Sequence, residues 1–415
     1  MIHCSGVGEF QDTQIGTSVN SGISPGQAVR TFRLIVTGGG TGGHVYPALT
    51  TVRALRARLA ATGRAVDVLW VGSTAADSLE SRVAREADIA FESVATGKIR
   101  RSANPLKMLS PANAKDMARI PAGVVQARRI VRDFVPDVVL ATGGYVAVPV
   151  GLATSLCGRP LVIHEQTVRL GLANRKLAPR ATRVAVSSAL TLELLSESVR
   201  ATATVTGNPV RPEVFSGHAG RAVQTLGLVG RFDSRRPTVY VTGGAQGSEQ
   251  INTLVAQILP WLLQHANVVH QCGPKHLDAL RARTAGLPTE LAARYLLTAY
   301  VGAELPDVLA LADVVISRSG AGTLAELTAL GKAAVFIPLA TSAGNEQHHN
   351  AKQLHEAGAA VALLGEATPQ TLTDVVGPLL TDRARRTQVA DRARAQGRRD
   401  AADRLVDVLL DAAGR

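Results

Sequence analysis

The chain is short of aromatic side chains: Phe, Trp and Tyr together make 3% of its 415 residues. That scarcity speaks against stacking platforms for single-stranded nucleic acid, and no nucleic-acid partner is expected. Cysteine is rarer. Cys4, Cys157 and Cys272 are odd in number and have no metal or disulfide spacing, which fits a reducing compartment. The first thirty residues are polar and lack the apolar core of a secretory signal, so 1–30 reads as a disordered tail. One charge-free run, Val138 to Gly158, is long enough to cross a bilayer at 21 residues. Gly143, Gly144, Pro149 and Gly151 interrupt it, and it reads instead as a buried strand, a glycine loop and a helix. No Asp-x-Asp clamp stands between the two halves of the chain, and neither metal nor cofactor is expected.

What is present is an α/β pattern at a length that suggests two or three domains. Apolar strand-like runs alternate with helical periods: Phe32 to Val36, Val66 to Val71, Ile89 to Val94, Val138 to Ala141, Leu161 to His164 and Val184 to Ser187. The alternation restarts at Thr238 to Val241 and continues through Asn267 to Gln271, Leu296 to Ala299, Val314 to Ile316 and Ala334 to Ile337. This pace implies parallel sheets covered on both faces. The boundaries expected are a first domain at 31–207, a linker at 208–236, a second domain at 237–395 and a final helix at 396–415. Two such domains leave a cleft between them, a favoured place for ligands.

Four glycine-bearing turns follow predicted strands. They are Thr37 to Pro47, Thr142 to Tyr145, Thr242 to Ser248 and Ser317 to Thr323. Glycine lets backbone approach a bulky anion, and the helix that follows adds unpaired N–H groups and the positive end of its dipole. The spacing matches neither the dinucleotide fingerprint nor a P-loop. A net charge of +12 suits anionic partners.

Lys98 to Arg132 holds nine basic residues (Lys98, Arg100, Arg101, Lys107, Lys115, Arg119, Arg128, Arg129 and Arg132) against one acid, Asp116. Aliphatic residues are interleaved, as suits contact with an anionic bilayer surface.

Taken in order, these motifs resemble the MurG family, the undecaprenyl-diphospho-muramoylpentapeptide N-acetylglucosaminyltransferases of peptidoglycan synthesis. The matching pieces are Gly38 to Pro47, Gly143-Gly144-Tyr145-Val146, His164-Glu165-Gln166, Gly207 to Arg211, Gly243 to Gly247, Arg318 to Ala321, Glu326, Glu346-Gln347 and Asn350-Ala351. The resemblance implies two Rossmann-like doubly wound domains (GT-B, family 28). It also implies inverting transfer of GlcNAc from UDP-GlcNAc to the muramic 4-hydroxyl of lipid I, at the cytoplasmic face of the membrane, as a peripheral enzyme. His44 and Glu165 are then the expected catalytic residues. Thr41, Gly42, Gly43, Gly143, Gly144, Tyr145, Gln166 and Thr167 are expected on the acceptor side. Arg211, Gly244, Ala245, Gln246, Gly247, Ser248, Ser319, Gly320, Ala321, Glu326, Glu346 and Gln347 are expected to hold the donor, with Glu326 on the ribose hydroxyls.

Thr167 stands where the family usually has Asn, Ala245 where Ser is common, and the loop Ala340 to Gln347 is atypical. Two other reactions therefore stay in view: a related transferase acting on another polyprenyl-linked or secondary-metabolite acceptor, and a UDP-GlcNAc 2-epimerase.

Overall fold

A computed structural model of the chain describes residues 30–75, 77–97 and 111–414. Residues 1–29 of the expected tail, Lys98, Arg100, Arg101 and Lys107 lie outside the described residues, while Arg30 is described and pairs with Asp137.

All strand pairs are parallel, in two sheets. The first has β1 (Phe32–Thr37), β2 (Val66–Ser73), β3 (Ala90–Val94), β4 (Val138–Ala141), β5 (Leu161–Glu165), β6 (Arg183–Val186) and β7 (Ala203–Val205), in the spatial order β3-β2-β1-β4-β5-β6-β7. The second has β8 (Thr238–Thr242), β9 (Asn267–Gln271), β10 (Tyr295–Thr298), β11 (Val314–Ser317), β12 (Ala333–Phe336) and β13 (Val361–Ala362), in the order β10-β9-β8-β11-β12-β13. Central strands such as β4, β5, β8 and β9 are buried at every residue. That is why they read as continuous apolar runs rather than alternating ones.

Strand order reverses between β1 and β4 in one sheet and between β8 and β11 in the other. The four glycine turns follow those four strands. They sit at the topological switch points, where doubly wound sheets bind ligands.

The charge-free run at 138–158 folds as β4, a turn with Gly143 and Gly144 at positive φ, and the helix Ala147–Leu156. Among the described residues no helix is long and apolar enough to cross a membrane. The stretch 208–236, loop-like in sequence, carries a 3-10 turn at Pro212–Ser216 and a helix at Ala219–Thr225. Val210, Val214 and Leu228 pack it into the core of the second sheet. The helix Ala401–Ala412 returns to the first sheet, burying Leu405, Val406 and Leu409 against residues of β1 and the helix Gly42–Ala60. Arg58 pairs with Asp403 and Asp407, and Arg183 Nε donates to Asp411 at 2.8 Å. The chain thus crosses between domains twice, near Gly207 and near Arg398.

Several of the basic side chains are held on backbone carbonyls. Arg386 donates to Leu379 O and Leu380 O, Lys332 to Ala312 O, Arg399 to Ala329 O and Arg294 to Leu263 O. Each cation closes the carboxyl end of a helix, where carbonyls lack partners and the dipole is negative.

Candidate active site

The helix after β1 begins at Gly42, so the second half of the first glycine turn belongs to it and His44 lies in its first turn. Nδ1 of His44 lies 3.1 Å from Gly39 O and 3.2 Å from Thr41 Oγ1. A carbonyl can only accept, so Nδ1 carries the proton and Nε2 keeps its lone pair. Nε2 faces Gly143, where an added Cβ would lie 3.2 Å from it. Gly144, at φ +81°, passes so close to Gly39 that a Cβ there would meet Gly39 O at 2.4 Å. The half-buried Tyr145 packs over Gly40. The two glycine turns of the first domain are therefore in contact, with Thr41, Gly42, Gly43, His44, Gly143, Gly144 and Tyr145 in one place. Burial lowers the His44 pKa below its ordinary 6.5, against the opposing pull of the Gly39 bond and the Glu165 charge.

Glu165 ends β5 and is buried, and both its oxygens are occupied. Oε1 accepts from Thr167 N at 3.0 Å and Thr167 Oγ1 at 2.7 Å; Oε2 accepts from Gly171 N at 2.8 Å and Asn174 Nδ2 at 3.0 Å. This carboxylate shapes the turn 165–174 and reaches His44 only through space. Gln166 Nε2 donates to Thr142 O at 2.8 Å and sits 3.0 Å from His164 Nδ1, tying the ends of β4 and β5. His164 donates from Nε2 to Gly207 O at 2.9 Å, and complete burial pushes its pKa down to about 4. Thr167 spends its hydroxyl on Glu165 and on Arg169 O at 2.8 Å.

In the second domain the turn Gly243 to Ser248 runs into the helix Glu249–His265, capped by Ser248 Oγ accepting from Ile251 N. The Gly244 N–H is held by Thr242 Oγ1 at 3.0 Å, and Gly247 N donates to Gly244 O at 2.9 Å. Ala245 and Gln246 form the exposed crest. The helix Ala321–Leu330 starts at Gly320 with no side-chain cap. An added Cβ at Gly244, Gly320 or Gly322 would meet nothing within 4 Å, so both turns border open space.

Between them lies Arg318. Nη2 donates to Ser248 Oγ at 2.7 Å, and Nη1 to Gln250 Oε1 at 2.8 Å, Ile337 O at 2.9 Å and Pro338 O at 3.1 Å. All four acceptors are neutral. Burial lowers the Arg318 pKa, and among the described residues no carboxylate offsets its charge.

Arg211, on the first crossover, donates from Nε and Nη2 to Glu326 Oε1 and lies 5.6 Å from the Tyr46 ring centroid. A recess of about 350 Å³ beside it is lined by Tyr46, Arg53, Arg211, Glu213, Gly302 and Pro306. Ser319 Oγ donates to Gln347 O at 2.8 Å, and Gln347 Oε1 accepts from Leu339 N at 3.0 Å. That amide oxygen closes the loop 339–347. Glu346 begins the helix Glu346–Glu356. Asn350 joins the domains, accepting from Val168 N at 3.3 Å. A larger cavity, about 440 Å³, lies toward the crossovers between Gln166, Ser188, Asn208 and Asn350.

Sequence reasoning overlooked Glu80 and Asn174 beside this site. Glu80 is the second residue of the helix Leu79–Glu86. Arg318 was recognised only as part of its motif.

The sequence matches the glycosyltransferase family 28 N-terminal domain over residues 34–186 and the C-terminal domain of that family over 238–405. A relative from Halothermothrix orenii is 32% identical over 92% of this chain and 99% of its own. Its name is UDP-N-acetylglucosamine--N-acetylmuramyl-(pentapeptide) pyrophosphoryl-undecaprenol N-acetylglucosamine transferase. The protein of that name from Listeria welshimeri is 34% identical over 91% of this chain and 99% of its own. Among solved structures, Acinetobacter baumannii MurG aligns with a TM-score of 0.68 at 27% identity, covering 92% of this chain and 99% of that one. A putative UDP-N-acetylglucosamine 2-epimerase from Listeria monocytogenes covers 92% of this chain and 96% of its own at a TM-score of 0.62. Its identity is 15%, a likeness of fold alone. With two family domains spanning both sheets, the chain belongs to glycosyltransferase family 28.

Proposed function

We propose that this glycosyltransferase moves GlcNAc from UDP-GlcNAc to the 4-hydroxyl of the muramic sugar in lipid I, giving lipid II with inversion at the anomeric carbon. The observation that carries this reading is the placement of four glycine turns at the switch points of two sheets. His44 stands on one side of the cleft and Arg211, Arg318 and Glu326 on the other. The names of the relatives, matched along nearly their whole length, support the same donor and acceptor.

In the reaction the acceptor oxygen bonds to C1 of GlcNAc as the bond from C1 to the phosphate oxygen breaks. The electron pair leaves with UDP, and the hydroxyl proton passes to Nε2 of His44. Its neutral state suits the base, and Nδ1–H is fixed on Gly39. Charge growing on the diphosphate meets the Arg318 guanidinium and the amino ends of the helices at Glu249 and Ala321. Glu326 takes the ribose hydroxyls, with the nucleoside beside the recess next to Arg211. We assign Glu165 a positioning role, because its oxygens are filled by the turn it holds. Gln347 reads the sugar once its amide leaves Leu339.

The helix Pro111–Phe134 presents exposed Arg128, Arg129 and Arg132. Val125, 71% exposed, lies one turn before Arg128; Leu156, 63% exposed, precedes Cys157, which contacts Arg128 O. Arginines around exposed aliphatic side chains suit an anionic bilayer, so this face is the proposed docking surface at the cytoplasmic leaflet.

The test is UDP release by purified protein supplied with UDP-GlcNAc. Release that requires a lipid I analogue supports the reading. Sugar epimerised without any lipid contradicts it, and so does release that responds only to a different acceptor.

A further inference from the structure

Beneath the first glycine turn lies a carboxylate that the proposed reaction does not use. Glu80 is 1% exposed. Its Oε1 accepts from Ser73 Oγ at 3.0 Å, and its Oε2 accepts from Gly40 N at 3.3 Å. Space for it is cleared by two glycines. A Cβ on Gly39 would lie 2.7 Å from the Glu80 carboxyl carbon, and one on Gly72 would lie 3.0 Å from Glu80 Cγ. The Gly40 N–H and the Gly39 C=O belong to the same peptide unit. Its N–H donates to Glu80, and its C=O accepts from His44 Nδ1 at 3.1 Å.

We propose that Glu80 is a positioning residue for His44, acting through the Gly39–Gly40 peptide to hold the ring with Nδ1 protonated and the Nε2 lone pair facing the acceptor. The inference rests on the reading of His44 as proton acceptor. A carboxylate drawing on the N–H makes the carbonyl of that peptide a stronger acceptor, since hydrogen bonds in a chain polarise one another. The stronger acceptor favours the Nδ1–H tautomer and stabilises the imidazolium that forms when Nε2 takes the proton. The arrangement sets a carboxylate behind a histidine with one peptide between them. Glu165, at the end of β5, acts on the ring directly through its charge, whereas Glu80 reaches it by way of the peptide. Thr41, the N-cap residue of the histidine's helix, and Asn174 across the turn are uncharged, and Tyr145 packs over Gly40.

The experiment is NMR titration of the full-length protein with labelled histidine, the His44 signal being assigned by its loss in His44→Ala, alongside kcat against pH. Glu80→Gln is expected to lower the His44 midpoint by about one unit, to reduce the Nδ1–H tautomer, and to lower kcat about tenfold with the KM for UDP-GlcNAc unchanged. Ser73→Ala keeps the carboxylate but removes its hydroxyl donor, so charge concentrates on Oε2 and the midpoint is expected to rise. This variant decides the matter if Glu80→Gln does not fold. A midpoint and tautomer unmoved in a folded variant, with only Tm reduced, overturns the proposal. If that happens while His44→Ala still abolishes turnover, the proposed function survives without the relay. If the midpoint moves and the acid limb of kcat does not, His44 is not the base and the proposal falls with that reading.

Discussion

Arg211 grips Glu326 by one carboxylate oxygen: Nε and Nη2 both donate to Oε1, at 3.0 and 2.8 Å. No protein donor falls on Oε2 among the described residues, so that oxygen stays available to a ribose hydroxyl. The Arg211 side chain loses hydration on burial, but the facing carboxylate outweighs that loss and its pKa lies above the ordinary value. The pair joins the first crossover to the helix Ala321–Leu330, with Tyr46 of the first domain against the guanidinium.

Glu326→Ala should raise the KM for UDP-GlcNAc by about 10- to 100-fold, the worth of one or two hydrogen bonds to a charged group. Steady-state kinetics with donor varied checks this, and an unchanged KM would remove Glu326 from the ribose.

His44→Ala should lower kcat by about 10²- to 10⁴-fold while UDP affinity, read by calorimetry, stays near wild type. The pH dependence has a definite sign. His44 works as the neutral ring, and burial holds its pKa below 6.5. Activity should therefore persist below pH 6.5 and fall only as the ring protonates. An acid limb centred above 6.5 would contradict the assignment.

Replacing Arg128 and Arg129 by Glu should reduce binding to anionic vesicles by tenfold or more, since each basic side chain at the bilayer surface contributes about 1 kcal/mol. Vesicle sedimentation measures it, and turnover of a short-chain soluble acceptor should be spared. Equal binding by both proteins would return these arginines to an ordinary solvated face.

His164 makes stability depend on pH. It is neutral in the folded protein with a pKa of about 4 and ordinary when unfolded, near 6.5. Between those values the unfolded chain binds more protons, so stability is complete above pH 6.5 and declines as pH falls toward 4. The loss is roughly 3 kcal/mol at its fullest by linkage. His270, pushed down to about 3 by burial, acts in the same direction. Chemical denaturation at several pH values should show this slope, and His164→Gln should flatten it.

Most strands were legible because buried parallel strands are unbroken apolar runs, and the four glycine turns because they punctuate those runs. β7 and β13 were not: edge strands of three and two residues carry no pattern. The helix after β1 was expected from Pro47 and begins at Gly42, since glycine is a poor helix former and masks the first turn. Glu80 was illegible for a tertiary reason. Its burial depends on Gly39, just past β1, and on Gly72 of the paired strand β2, and nothing in the local run Leu-Glu-Ser-Arg announces that. The count of basic residues did not tell which of them serve the fold. Arg386, Arg399, Arg294 and Lys332 close helix ends in three dimensions, which a count of basic residues cannot foresee.

The most direct measurement is to incubate purified protein with radiolabelled UDP-GlcNAc and a lipid I analogue, then isolate the lipid and determine its sugar and anomeric configuration. Label in a β-linked GlcNAc–MurNAc lipid is the predicted result. UDP-GlcNAc bound with no label in lipid, or an α-linked product, would contradict the account.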